Sequence, residues 1–228
     1  MPTGALINAA AILFGGGLGL LLRGKISEKF AQSIIRAIGL CIAIIGIQGA
    51  LAGDVMLLVI SMALGAIIGE LCKIDEALKR LGDWTQKKFS RGEAHSTFSE
   101  GFVTATLLFC VGAMAVVGSI DSGLRGDHSI VFTKSVLDAL TSIILASTLG
   151  LGVLFSAVAV FIYQGSIEFF AGFLQNVFTD PLITQISAVG GVMIFAIGLN
   201  MVLDAKIKVA NLLPGLLVAA AYYFLILA

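Results

Sequence analysis

The sequence predicts an all-α polytopic membrane protein of about eight transmembrane helices, with an inverted repeat that relates spans 1–3 to spans 6–8. Three observations carry the fold class. Of the 228 residues, 58% are hydrophobic and only 12% are charged, against about 25% charged residues in a soluble domain. Apolar runs close to 20 residues long recur from end to end, and each can cross roughly 30 Å of hydrocarbon. Glycine is abundant, at 27 residues, which suits helices packing closely in lipid. Net charge is zero, so no nucleic-acid partner is expected; the expected surroundings are a lipid bilayer.

The first span is expected at 4–22. Its Gly15, Gly16, Gly17 and Gly19 leave one surface nearly bare, and Asn8 is its only strongly polar side chain. Arg23, Lys25 and Lys29 follow in a short polar loop. The second span, 33–51, carries Gln48 near its far end, and Gly53-Asp54 makes a tight turn into the third, Val55–Cys72, which holds Gly65, Gly69 and Glu70. The segment 73–97 is the longest polar stretch. Ile74, Leu78, Leu81 and Trp84 recur in it at helical spacing among six Lys or Arg residues, which predicts an amphipathic helix on the membrane surface with Trp84 at headgroup level. The fourth span is expected at 101–120 and a polar loop at 121–130. The fifth, 131–149, contains Lys134 and Asp138. The sixth is placed at 153–170, with Gln164 and Glu168 near its end, followed by a loop or re-entrant piece at 173–184. The seventh runs over 186–203 and carries Gly198-Leu199-Asn200. The eighth, 211–227, opens on NLLPG, with Pro214 suited to a first helical turn. The resulting blocks are 1–72, 73–97, 98–149 and 150–228.

Lysine and arginine set the expected orientation. With eight spans and both termini outside, the cytoplasmic loops hold 12 of the 14 cations; Arg125 falls outside and Lys134 lies within a span. No basic residue precedes the first apolar run, so a cleavable leader is not expected. The repeat is read from two superpositions. Residues 4–24 laid over 152–172 match at Gly4/Gly152, Leu6/Leu154, Ala9/Ala157, Ala11/Ala159, Gly17/Gly165 and Gly24/Gly172. Residues 37–51 laid over 188–203 set Gly39 opposite Gly190, Gly46 opposite Gly198 and Gln48 opposite Asn200. The two copies have opposite topology, a plan common in secondary transporters, whose sites lie near the midplane.

The leading candidate site is Lys134 with Asp138. A spacing of four residues stacks them on one helix face, which Ser135, Thr141 and Ser142 share. Val136, Leu137, Leu140, Ile143 and Ile144 form the other face. A charge in a bilayer must face protein, water or a partner, so Asp138, Lys134 and Ser142 are candidates to bind substrate. The alternative is a structural ion pair with Lys134 snorkelling to the surface. Asn8, Gln48 and Asn200 are candidate solute contacts across the repeat, or interhelical hydrogen bonds that fix packing. Cys41, Cys72 and Cys110 match no metal or redox spacing and are expected to be buried free thiols. No nucleotide-binding glycine loop, zinc spacing or nucleophile elbow is present, so no catalytic residue, metal or cofactor is expected and the chain is not read as an enzyme.

GALIN at 4–8, FCVGAMAVVGSI at 109–120, KSVLDALTSIILASTLGLG at 134–152, AIGLN at 196–200 and NLLPG at 211–215 are spread along the whole chain. On these stretches it resembles the bacterial YdfK/YqgA family of uncharacterised integral membrane proteins. The resemblance implies a bacterial inner-membrane protein and brings no functional residues with it. The residues themselves point to a small secondary transporter of a polar solute, with or without proton coupling. An ion or solute channel, or a membrane scaffold or regulatory subunit using 73–97, is the alternative. A homo-oligomer such as a dimer suits a chain of this size with Gly-rich faces.

Overall fold

Helix starts and stops fall on residues with the chemistry for them. The computed structural model describes residues 2–23, 28–77, 80, 95–110, 113–174 and 177–227. The helices are α1 (Thr3–Leu22), α2 (Glu28–Ala50), α3 (Val55–Cys72), α4 (His95–Cys110), α5 (Ala113–Arg125), α6 (Ser129–Leu149), α7 (Gly152–Phe169), the short α8 (Ala171–Leu174), α9 (Asp180–Leu203) and α10 (Pro214–Tyr222). Asp54 caps α3, its carboxylate accepting from Leu57 N at 2.9 Å, which satisfies one of the free N–H groups of a first turn. Pro181 and Pro214 sit in the first turns of α9 and α10, where a missing N–H costs nothing. Gly150, at φ +79°, ends α6 and lets α7 begin two residues later.

Among the described residues five helices are long and apolar enough to cross a membrane: α1, α3, α6, α7 and α9. A sixth crossing arises if α4 and α5 are one span bent by 60°. Ile35–Ala50 within α2, and Val209–Leu225, are shorter apolar stretches. The described residues form helices and turns and no strand.

The structure corrects several expectations. The fourth span is not one straight helix over 101–120 but two helices that change direction after Cys110. Residue 121 is not in a loop: α5 runs on to Arg125, and Asp121 pairs with Arg125 at 3.6 Å, one turn on. Within 173–184 the next helix already begins: α9 starts at Asp180, six residues before the expected start, with Pro181 in its first turn. Cys41 and Cys72 are free thiols but exposed, and Cys110 is half-buried; helices with apolar surfaces toward lipid have no need to bury small thiols. Most of the amphipathic helix expected at 73–97 lies outside the described residues.

Packing divides the chain into two compact units that cut across the linear blocks: Met1–Ser27 with Arg80–Phe178, and Glu28–Lys79 with Thr179–Ala228. In the first unit α1 lies against α6 and α7, and α4 and α5 pack on α7. The α1–α6 contact is parallel. A Cβ at Gly15 would lie 2.2 Å from the Ala139 carbonyl oxygen, and one at Gly19 would lie 2.3 Å from that of Ile143. Only glycine permits such backbone contact, the small-residue spacing familiar from membrane helices. In the second unit α2 packs on α9 and α3 on α10. Here Gly46 faces Gly191 and Gly39 faces Gly198, so the α2–α9 contact is antiparallel. Leu57, Val189 and Ala219 form a core cluster of this unit.

A Cβ at Gly46 would sit 2.3 Å from Phe195 N, whereas one at Gly17 meets nothing within 4 Å. Backbone cannot yield as a side chain can, so Gly46→Ala is expected to cost about 1–3 kcal/mol. Gly17→Ala should be neutral or slightly stabilising by helix propensity. Thermal unfolding of the two variants in detergent checks this.

Candidate functional site

Asp138 is the tenth of the 21 residues of α6, about 14 Å along the axis from its start. It is 7% exposed, as is Lys134, one turn nearer that start. The Lys134 ammonium donates to Asp138 Oδ2 and lies 5.9 Å from the ring centroid of the buried Phe109 on α4. The rest of the face is small and polar. Ser135 spends its hydroxyl on the Val131 carbonyl at 2.7 Å, and Thr141 spends its own on Leu137 at 2.8 Å, as helix hydroxyls commonly do. Ser142 is fully buried, and its oxygen has no hydrogen-bond partner among the described residues. Val136, Leu137, Leu140 and Ile144 face outward, as the sequence pattern requires.

Asn8 completes the pair from α1. Its face of that helix, with Gly4, Ala5, Ile12, Gly15, Gly16 and Gly19, is buried, and the glycines let α1 approach α6. Asn8 Nδ2 donates to Asp138 Oδ2 at 2.9 Å and to Gln164 Oε1 of α7 at 2.8 Å. Asn8 and Gln164 have no exposed surface. Both donor hydrogens of Asn8 are used, while Asn8 Oδ1 and Gln164 Nε2 are left without partners among the described residues. Three helices thus converge on one carboxylate and leave an acceptor, a donor and a hydroxyl unpaired beside it.

One turn beyond Gln164, Glu168 reaches the start of α1. Its Oε1 accepts from Ala5 N at 2.6 Å, while Pro2, the residue preceding that helix, contributes no side-chain cap. The carboxylate of one helix therefore caps the N-terminus of another, where both free N–H groups and the helix dipole favour a negative charge. Ser122 of α5 hydrogen-bonds to Glu168, and a Cβ at Gly4 would collide with both Glu168 Oε1 and the Ser122 oxygen, at 2.5 and 2.7 Å. Ser122 is also 2.8 Å from His128 Nδ1. Glu168 Oε2 is buried and unpaired among the described residues. At the head of α6, Asp127 accepts from the amide and hydroxyl of Ser129; these bonds hold its carboxyl below the ordinary carboxylate range.

The structure thus joins Lys134, Asp138 and Asn8, and sets Ser142 on the same buried face. Gln48 and Asn200 belong to the other unit. Gln48 is exposed. Asn200 closes the turn after α9, with Nδ2 donating to the Ile207 carbonyl and Oδ1 accepting from Ile207 N, each at 2.8 Å. Both ends of that amide are occupied by backbone. Gln164, Glu168 and Phe109 are the members that sequence reasoning did not select. Gln164 and Glu168 carried a signal, two polar residues four apart inside an apolar run; Phe109 carried none. Among the described residues no group of three or more His, Cys, Asp or Glu side chains is placed to hold a metal ion.

Removing the Asn8 amide leaves Gln164 Oε1 without a partner and takes a donor from Asp138. Each buried group so left costs about 1–3 kcal/mol. Asn8→Ala is expected to destabilise the protein by that order, while Thr141→Ala, which loses only a bond within its own helix, should stay near wild type. Unfolding midpoints of the two variants decide it.

A family described as "Protein of unknown function (DUF554)" matches residues 3–224. The chain is 32% identical over 228 residues to "Uncharacterized membrane protein YdfK" of Bacillus subtilis, covering 98% of this chain and 96% of that protein. It is also 32% identical over 223 residues to "Uncharacterized protein YqgA" of Escherichia coli, covering 96% and 95% of the two chains. No solved structure matches. A match over nearly the full length, with two relatives of the same extent, means that this chain belongs to the DUF554 family.

Proposed function

We propose that the protein is a small secondary transporter of the bacterial inner membrane, with Asp138 as the group that binds a polar solute. One observation carries the reading: Asp138 is buried halfway along a membrane-length helix, paired with Lys134 one turn away, with polar atoms of Asn8, Gln164 and Ser142 nearby that are unpaired among the described residues. Charges at that depth are costly and mark substrate or ion pathways. The name of the Bacillus relative supports the membrane assignment.

The helix pairings support the repeat. Each expected span of the first copy packs on its counterpart: α1 on α7, α2 on α9 and α3 on α10. The superposition equates Gly39 with Gly190 and Gly46 with Gly198. Gly39 lies against Gly198, and Gly46 against Gly191, next to Gly190. Such reciprocity is what a contact between two-fold related copies would give. Counting the bent α4–α5 pair as one span, and Ile35–Ala50 and Val209–Leu225 as two more, yields eight; the distribution of Lys and Arg then favours both termini outside. The partners on this reading are lipid and a small polar solute, and no catalytic step is assigned.

The test is a thermal-shift screen of purified protein with amino acids, amines, organic acids, nucleobases and ions. A ligand at about 100 times its Kd adds about 2.7 kcal/mol. Wild type is expected to give a saturable hit and to move that solute across proteoliposome membranes. Asp138→Asn should stay folded and lose both. Undiminished flux through a well-folded Asp138→Asn protein would falsify the proposal. Single-channel currents without saturable exchange would make the protein a channel instead.

A further inference from the structure

We propose that the Asp138 carboxylate is an ammonium site, that the solute it takes is a small primary amine in its cationic form, and that Lys134 is a tethered competitor occupying the site when no solute is bound. This rests on the reading of Asp138 as the solute site and names the solute's class.

The argument is from the chemistry of the groups that meet there. The Lys134 ammonium is held by one carboxylate, Asp138, and by the face of Phe109 at 5.9 Å. A carboxylate together with an aromatic face is a pairing that recognises ammonium groups. Among the described residues the unpaired atoms nearby are one acceptor, Asn8 Oδ1, one hydroxyl that can accept, Ser142 one turn along α6, and one donor, Gln164 Nε2, on the far side of Asn8. An alkylammonium brings three donors and no acceptor, so it fits Asp138, Asn8 Oδ1 and the Ser142 oxygen. An anionic solute would meet the Asp138 carboxylate, whose ion pair among the described residues is with Lys134. Divalent metals are poorly served, because Asp138 belongs to no acidic or histidine cluster among the described residues.

Lys134 supplies the same head group from within the chain. Its side chain is flexible, and its position nearer the start of α6 gives it a route outward, as lysines near helix ends take. With Lys134 docked or with a solute ammonium bound, the charge of the site is the same. The buried carboxylate is therefore paired in both states, and an unpaired one is the costly alternative. Solute binding and Lys134 docking are mutually exclusive on this geometry.

Lys134→Ala removes three carbons and the ammonium, so n-propylammonium replaces what is lost. In purified Lys134→Ala protein, n-propylammonium chloride is expected to raise the Tm saturably, while tetramethylammonium and propionate at equal concentration do not. The Lys134→Ala/Asp138→Asn protein should not respond. Wild type should respond with an apparent Kd at least tenfold weaker, because Lys134 competes. No saturable response in Lys134→Ala, or an equal one in the double variant, overturns the proposal. Should Lys134→Ala not fold, wild type against Asp138→Asn decides: n-propylammonium must stabilise the first more than tetramethylammonium does, and must not stabilise the second. Methylammonium uptake by wild-type proteoliposomes separates this claim from the transport reading. Binding without uptake keeps the ammonium site and removes transport. Loss of another solute's hit in Asp138→Asn, without any amine binding, keeps transport and removes the ammonium site.

Discussion

A carboxylate in the middle of an apolar helix constrains everything packed around it. Asp138 cannot reach the end of α6 as a lysine can, so its charge must be answered where it stands. Three answers converge: the Lys134 ammonium from the same helix, the Asn8 amide from α1, and through Asn8 the Gln164 amide from α7. The two amides demand that neighbouring helices come close. The glycines of α1 make that possible, because at Gly15 and Gly19 there is no side chain between the two backbones. The polar centre and the bare glycine face are one device: the second brings the amide within reach of the first.

Glu168 sets the other end of the same seam. Four residues after Gln164 on α7, it caps the first turn of α1, so α7 holds α1 at two points one turn apart, Asn8 and Ala5. One carboxylate of the seam is paired with a cation. The other rests on helix N–H groups, the Ser122 hydroxyl and a nearby histidine. The two acids therefore differ in kind. Asp138 is answered by a lysine ammonium, and Glu168 by helix N–H groups and a hydroxyl.

Much of the architecture was legible because lipid imposes simple rules. Apolar runs near 20 residues located α1, α3 and α6 closely, since backbone groups in hydrocarbon must be satisfied within the helix. What failed was local. The bend between α4 and α5 falls in an apolar run with no proline, and that run reads in the sequence as one straight span. Asp121 looked like loop because it is charged, yet its partner one turn on, Arg125, is what a helix end provides. At the site, Lys134 and Asp138 were visible from spacing alone, and Asn8 from its isolation in an apolar span. Gln48 and Asn200 were grouped with Asn8 by repeat position, but the Asn200 amide is occupied by the turn at Ile207. Its role is set by a loop that the repeat comparison did not cover. Gln164 was overlooked because it lay near a span end, where polar residues are unremarked; only the antiparallel register of α1 and α7 brings it to Asn8.

The measurement that bears most directly on the central claim is the stability of a protein in which both charges are removed with little change of volume, Lys134→Met/Asp138→Asn. Asn at 138 still offers Asn8 an acceptor. If the pair is kept for binding rather than for folding, the double variant unfolds at the wild-type temperature or above it, because replacing a buried ion pair by neutral groups is often neutral or stabilising by about 1–4 kcal/mol. It should exceed both single variants, each of which leaves one charge unanswered. A double variant less stable than wild type and no better than the singles would make the pair a structural tie, and would contradict the account.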